Sequence, residues 1–227
     1  MRDLVRQIGW GSAAALLAAL CWLAGCVAVP LEGWPAATAP LIAQRVRVAP
    51  AGGAALDPAW MQAQPLRVPL TWGSHGIRHA FDMELRALYT ADTLFLQARW
   101  PGDAPDGPAD ATFARLTWHW RIPAVANRPA PACEVACHTA HVTGHGDLAY
   151  IHTETIPPGG APALPATGGW RDGSWTISWR RPLRNGNPYD LQFDDLSRDY
   201  GFFVKVFQED STRPDPASAL HELRFAR

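Results

Sequence analysis

The sequence predicts an all-β domain, an antiparallel β-sandwich with long loops, preceded by an N-terminal membrane-anchor helix. Short segments of alternating apolar and polar residues recur along the chain, which is the period of half-buried strands. The composition, with 11 Trp among 21 Pro and 19 Gly, is typical of aromatic-rich strands joined by loops. One long segment near the N-terminus carries no charge.

Residues 8–31 form this uncharged apolar segment, which is long enough to cross a bilayer core as a helix. Arg2 and Arg6 precede it, which favours an N-terminus inside the cell and an exported remainder. The sequence Leu-Ala-Gly-Cys ending at Cys26 also resembles a bacterial lipobox, which implies a lipid on that cysteine. An uncleaved anchor helix, a lipid anchor and a cleaved signal peptide therefore stay open, and all three predict a domain that faces the periplasm.

The chain is predicted to have three parts. Residues 1–32 are the membrane segment, residues 33–44 are a linker and residues 45–227 are the folded domain. The linker assignment depends on its two prolines and several alanines, which make a semi-extended tether.

Within the domain, Asp57 followed by Pro58 predicts one short helical turn with Asp57 as its cap. Residues 79–100 are predicted to form a hairpin, because two alternating runs flank a short turn. Further strands are predicted at Leu116, Trp118, Trp120 and Ile122; at Leu148, Tyr150 and His152; at Trp175, Ile177 and Trp179; at residues 201–207; and at His221, Leu223 and Phe225.

The motif that carries chemistry is Cys133-x-x-x-Cys137-His138, one residue longer than the usual haem c attachment motif. Two neighbouring thiols add to the vinyl groups of haem, and the next imidazole reaches the iron. The motif therefore predicts covalent haem c on Cys133 and Cys137, with His138 as the proximal iron ligand. The predicted protein is a membrane-anchored periplasmic c-type cytochrome that carries electrons and is not an enzyme.

Two other interpretations of the motif stay open. A disulfide between Cys133 and Cys137 suits an oxidising compartment. A zinc ion could be held by Cys133, Cys137, His138 and either His141 or His145, although adjacent ligands fit poorly on one small ion.

Three residues are candidates for the distal iron ligand. His221 is the first choice, because it shares a strand face with Leu223 and Phe225 and so points towards apolar surroundings. His145 is the alternative, since seven residues of extended chain reach roughly 23 Å, enough to pass round a porphyrin. Lys205 is a weak alternative, and Met83 is expected to pack in the core.

Residues 56–60, 94–103, 175–179, 190–195 and 200–207 resemble the haem-binding subunit family of ethylbenzene dehydrogenase and related molybdenum oxidoreductases. The resemblance covers residues 45–227 and implies a β-sandwich that holds one haem. It also implies that the partner is an exported redox protein or the molybdenum enzyme subunits. The best-known members hold a b-type haem with Met and Lys, whereas the Cys/His motif is similar to family branches that tether haem covalently.

A second hypothesis is an exported sandwich that binds carbohydrate or another ligand without haem. Trp118, Trp120 or Trp170 would stack on a sugar if exposed, although alternation favours core packing for most of them. The formal net charge of −1 gives no reason to expect a nucleic-acid partner.

Overall fold

The structure, a computed structural model, describes residues 39–51, 57–72, 78–103, 112–121, 135–145, 148–156, 166–186, 191–207 and 215–227. For residues 112–115, 135–145, 148–156 and 207 it describes the backbone alone. These ranges contain eleven strands and one 3₁₀ helix, Pro58–Gln62. The strands are β1 (Leu41–Arg45), β2 (Leu66–Trp72), β3 (Arg78–Tyr89), β4 (Thr93–Pro101), β5 (Thr112–Arg121), β6 (Val135–His145), β7 (Leu148–Ile156), β8 (Ala166–Arg171), β9 (Ser174–Pro182), β10 (Tyr200–Phe207) and β11 (His221–Phe225).

All strands of the described ranges belong to one sheet, in the order β7-β6-β5-β10-β11-β1-β3-β4-β9-β8, and β2 also pairs with β3. The end strands β7 and β8 lie near each other, so the sheet curls round on itself. The described pairings are antiparallel except that β1 runs parallel to both β11 and β3. The predicted all-β fold is confirmed, and the sheet is mixed rather than wholly antiparallel.

Strand β1 lies in the middle of the sheet, although its first four residues belong to the segment that was predicted to be a linker. Leu41 and Ala43 are fully buried. Leu41 pairs with Leu223 of β11, and Ala43 pairs with Ala87 of β3. The folded part therefore begins before residue 45, because a short apolar run becomes a central strand once both of its edges are paired.

The predicted hairpin of residues 79–100 is formed by β3 and β4, and β9 pairs along the other edge of β4. Ala87, Leu96 and Trp179 form one cross-strand row of these three strands, and all three are buried. The other predicted strands are present as β5, β7, β9, β10 and β11. Ile122, expected at the end of one of them, lies outside the described residues.

Aromatic rings fill the core beside β5 and β10. Trp118 stacks on Phe202 with ring centroids 4.8 Å apart, and Trp120 meets Phe193 edge-on at 5.2 Å. None of these four residues is more than 1% exposed. Each such aromatic pair adds about 0.5–1.5 kcal/mol beyond the burial of its apolar area. This part of the interior is therefore densely packed.

A smaller apolar cluster lies on the outer face of β3 and β4. Leu88 and Phe95 point outward there, because they alternate with the inward row, and Trp60 of the 3₁₀ helix covers them. Asp57 caps this helix as predicted, since its Oδ1 accepts a hydrogen bond from the backbone N–H of Ala59 at 2.7 Å. The helix thereby shields an apolar strip on the outside of the sheet.

In the described part of the chain, no helix is both long enough and apolar enough to span a membrane. The predicted anchor at residues 1–32 lies outside the described residues. Membrane attachment stays a prediction.

Candidate functional site

The Cys/His motif overlaps β6, a strand that the sequence did not predict. Cys133 lies outside the described residues. Cys137 pairs with His119 of β5, and His138 pairs with Trp118, one position further along. Consecutive positions of a strand belong to opposite faces of a sheet. The structure describes only the backbone at these two positions, so haem attachment at Cys137 and His138 is not tested by it.

His145 and Lys205, two of the candidate distal ligands, lie on different strands. His145 is the last residue of β6, where only the backbone is described. Lys205 is half-buried in β10, and its Nζ forms an ion pair with Oδ2 of Asp215 at 3.1 Å. Met83 is fully buried in the main core.

His221, the first choice for the distal ligand, lies inside the aromatic core. It is 4% exposed and pairs with Phe202 across β11 and β10. The two rings stack with centroids 5.7 Å apart. Burial lowers the pKa of His221 to about 4, although the backbone of Ala39 partly opposes this shift. The ring is therefore neutral near pH 7, and it packs against a phenylalanine ring.

Among the residues whose side chains are described, no group of three or more His, Cys, Asp and Glu could hold a metal ion. The residues of the zinc interpretation are Cys133, Cys137, His138, His141 and His145, and their side chains are not among those described. The zinc interpretation is therefore untested.

The three tryptophans considered as sugar platforms have different surroundings. Trp118 and Trp120 are 1% and 0% exposed, so they belong to the core. Trp170 is half-buried at the end of β8, packed against the edge of the main core. It remains the candidate for contact with a ligand.

Trp170 belongs to a row of tryptophans across three strands. It pairs with Trp175 of β9, which pairs with Trp100 of β4, and both of these are 3% exposed. Its Nε1 donates a hydrogen bond to the carbonyl oxygen of Gly102 at 2.8 Å. A Cβ on Gly102 would lie 2.7 Å from Cδ1 of Trp175, so only glycine fits there without a shift. The indole of Trp170 is therefore held in one orientation.

A tight turn brings charged side chains next to this tryptophan. Asp172 and Gly173, with φ of 50° and 73°, form the two-residue loop between β8 and β9. Positive φ at both positions is typical of the type I′ hairpin turn. Arg171 and Asp172 form an exposed ion pair, Nε to Oδ2, at 3.8 Å. This hairpin was not predicted from the sequence, although the Asp-Gly pair between two tryptophans is a hairpin signal.

No family model matches the chain, and no curated protein matches it. Several solved structures are similar. A family 9 carbohydrate-binding module from Caldicellulosiruptor kristjanssonii in complex with glucose has 9% identity and a TM-score of 0.48, covering 82% of this chain and 95% of that chain. A family 9 module from the same organism in complex with cellotriose has 10% identity and a TM-score of 0.48. The match covers 82% of this chain and 92% of that chain. A Bacteroides uniformis protein with a provisional carbohydrate-binding assignment has 12% identity and a TM-score of 0.46. The match covers 82% of this chain and 98% of that chain. Similarity at this level does not identify a ligand.

The haem interpretation is corrected by the family comparison and by the described side chains. No model of a haem-subunit family matches the chain, and the described side chains include no metal-binding group. The resemblance to the haem-binding subunit family of ethylbenzene dehydrogenase is wrong, and so are the predictions of haem c and of an electron-carrying cytochrome. The physical reason at the first-choice distal ligand is that the ring of His221 is buried and stacks on Phe202.

Two further predictions concern whether the chain is an enzyme and which partners it has. The similar proteins are named as carbohydrate-binding, and similarity at this level does not decide whether this chain is an enzyme. They give no support to a role in electron transfer. The predicted partners, an exported redox protein or molybdenum enzyme subunits, are tested by none of these observations.

Proposed function

We propose that this protein is an exported, non-catalytic carbohydrate-binding module whose sugar stacks on Trp170. The observation that carries the proposal is the half-buried indole at the end of β8, held by the hydrogen bond from its Nε1 to Gly102. Export is supported by the uncharged apolar segment at residues 8–31.

A fixed indole suits a sugar for physical reasons. The apolar face of a pyranose ring covers an aromatic face, and a rigid tryptophan supplies that area with little loss of conformational entropy on binding. The hydroxyl groups at the rim of the sugar need hydrogen-bond partners. Arg171 and Asp172, both exposed at the adjacent turn, can donate and accept such bonds.

The backing of Trp170 also supports the proposal. Trp175 and Trp100 continue the row into the core, so the indole rests on buried apolar structure. Because the hydrogen bond to Gly102 already orients the ring, a ligand does not have to order it on binding.

The test is direct titration of the purified protein with sugars, in which binding is measured by tryptophan fluorescence and by calorimetry. The panel begins with glucose and cellotriose, the sugars held by the similar family 9 modules, and continues with other neutral oligosaccharides. Trp170→Ala should weaken binding at least about tenfold, which corresponds to about 1.4 kcal/mol. Trp170→Tyr keeps an aromatic face and should retain most of the affinity.

The matched control is Trp72→Ala. Trp72 is another half-buried tryptophan, and it ends β2, four strands away from β8. This variant should bind sugar like the wild type. The proposal is wrong if no sugar in the panel binds, or if the two alanine variants weaken binding equally.

A further inference from the structure

A groove on the outer face of the molecule lies apart from Trp170. A cavity of about 700 Å³ separates the chain that follows β1 from the 3₁₀ helix. A second cavity of about 260 Å³ continues over the outer face of β8 and β9, and both cavities are lined by Ala49 and Ala51. The two together define the outer groove.

The charged groups of the outer groove leave it with unpaired positive charge. Arg45 and Arg47 line the larger cavity, and Arg180 lines the smaller one. Within the described ranges, none of these three side chains makes a hydrogen bond or an ion pair. The carboxylate of Asp57 also lines the groove, but its two oxygens already accept hydrogen bonds from backbone N–H groups, each at 2.7 Å. With three arginines and one aspartate, the groove has a net positive charge, which favours an occupant that carries negative charge.

The same groove has exposed apolar side chains at its edge. Val48 lines the larger cavity and is 77% exposed. Met61 does not line the cavity, but it is 80% exposed and lies in the 3₁₀ helix between the lining residues Ala59 and Gln62. Val48 and Met61 are the large apolar residues that are strongly exposed in the described part of the chain. Exposed apolar groups beside unpaired charges are typical of a surface that a partner covers.

The floor of the groove is fixed before any partner binds. Asp57 ties the start of the 3₁₀ helix to Ala51. Arg86 holds its end, because its Nη1 donates a hydrogen bond to the carbonyl oxygen of Trp60 at 2.9 Å. The groove therefore does not have to form on binding, which lowers the entropic cost of association.

We propose that the outer groove docks a peptide segment of a partner protein in which acidic residues flank an apolar side chain. Carboxylates of the segment would pair with Arg45 and Arg47, and the apolar side chain would pack on Val48 and Met61. An acidic polysaccharide offers the charges but no apolar side chain, so the peptide fits the groove better. The proposal is independent of sugar binding at Trp170.

The experiment is selection of a phage-displayed random dodecapeptide library on the folded wild-type protein, with counter-selection on Arg45→Gln/Arg47→Gln. Enriched peptides should combine Asp or Glu with a large apolar residue. As fluorescein-labelled peptides in anisotropy titrations, they should bind the double variant at least about tenfold more weakly. Val48→Ser/Met61→Ser should weaken peptides that have the apolar residue, and should leave matched peptides with serine in its place unaffected.

The control for charge is Arg67→Gln/Arg78→Gln, two exposed arginines of β2 and β3 that do not line the groove. This variant has the same change in net charge and should bind the peptides like the wild type. Equal weakening in both double variants, or the absence of any enriched peptide, overturns the proposal. Binding of polygalacturonate, rather than peptides, with dependence on Arg45 and Arg47 overturns it in favour of a polysaccharide.

Discussion

His221 is an ionisable side chain surrounded by apolar ones. It is 4% exposed, and neither ring nitrogen has a hydrogen bond of normal geometry within the described part of the chain. The backbone of Ala39 lies near enough to favour the protonated ring, but burial has the larger effect and lowers the pKa of His221 from 6.5 to about 4. Between these two pH values, the unfolded chain binds a proton at this residue more readily than the folded chain does.

We therefore expect His221 to make the fold sensitive to acid. Because the folded pKa is the lower one, the contribution to stability is complete above the unfolded value of 6.5 and is lost as the pH falls towards 4. Between pH 7 and pH 5 the loss from this group is about 2 kcal/mol. Urea unfolding of the wild type and of His221→Phe at both pH values measures it, and the variant should lose about 2 kcal/mol less. Equal losses in the two proteins would contradict a buried neutral imidazole.

Arg181 shows why some core residues could not be predicted from the sequence. It is 0% exposed, donates a hydrogen bond to the carbonyl oxygen of Leu191, and its guanidinium lies 4.7 Å from the ring centroid of Phe193. The alternation of β9 gives Arg181 the same face as Trp179, but an arginine at the end of a strand is ordinarily solvated. The carbonyl and the ring that compensate its charge belong to the irregular segment after β9, which has no regular pattern from which the contacts could be predicted.

The 3₁₀ helix Pro58–Gln62 is the element whose attachment is clearest. Asp57 joins it to the chain after β1, since Oδ1 accepts from the N–H of Ala59 and Oδ2 from that of Ala51, each at 2.7 Å. At the other end, Arg86 donates to the carbonyl oxygen of Trp60 and also pairs with Glu84. These bonds keep Trp60 over the outer apolar cluster.

Replacement of Asp57 should loosen this helix and lower the stability of the whole domain. Asp57→Ala removes the acceptors for two backbone N–H groups, and the loss of one such cap costs about 1 kcal/mol, so a loss of about 1–2 kcal/mol is expected. Asp57→Asn keeps one carbonyl oxygen and should lose about half as much. Urea unfolding at pH 7 compares the two variants with the wild type. If Asp57→Ala unfolds at the same urea concentration as the wild type, the cap contributes nothing.

Most of the predicted strands alternate apolar and polar residues, although β10 was predicted without alternating and β2 alternates but was missed. β3, β4, β9 and β11 carry a regular succession of apolar and polar residues, which is a local property. β8 contains two glycines and only one large apolar residue, so its strand conformation depends on pairing with β9. β6 was interpreted as a haem motif because its Cys and His residues matched a short pattern, and a short pattern ignores register. The candidate site was predicted only as far as Trp170, since Gly102 joins it through the tertiary fold.

At the scale of the whole molecule, the two proposed surfaces lie on opposite faces of the same part of the sheet. Along β9, Trp175 and Ile177 are in the main core, whereas Ser178 and Arg180 line the outer groove. This separation follows from the two-residue period of a strand. A sugar on Trp170 and a peptide in the outer groove would therefore contact different faces of the sheet.

The central position of β1 leads to a prediction about the whole domain. β1 pairs with β11 on one edge and with β3 on the other, and it contributes the fully buried Leu41 and Ala43. Without β1, two strands lose their backbone partners and the core acquires a cavity at Leu41. Loss of one buried leucine side chain alone costs about 2–5 kcal/mol, and a whole domain is stable by about 5–15 kcal/mol.

A protein that begins at Ala39 should therefore unfold cooperatively with the midpoint of the full chain, whereas one that begins at Val46 should not fold. Far-ultraviolet circular dichroism during thermal unfolding compares the two truncations. Cooperative unfolding of the shorter protein at an unchanged midpoint would show that the sheet does not need β1.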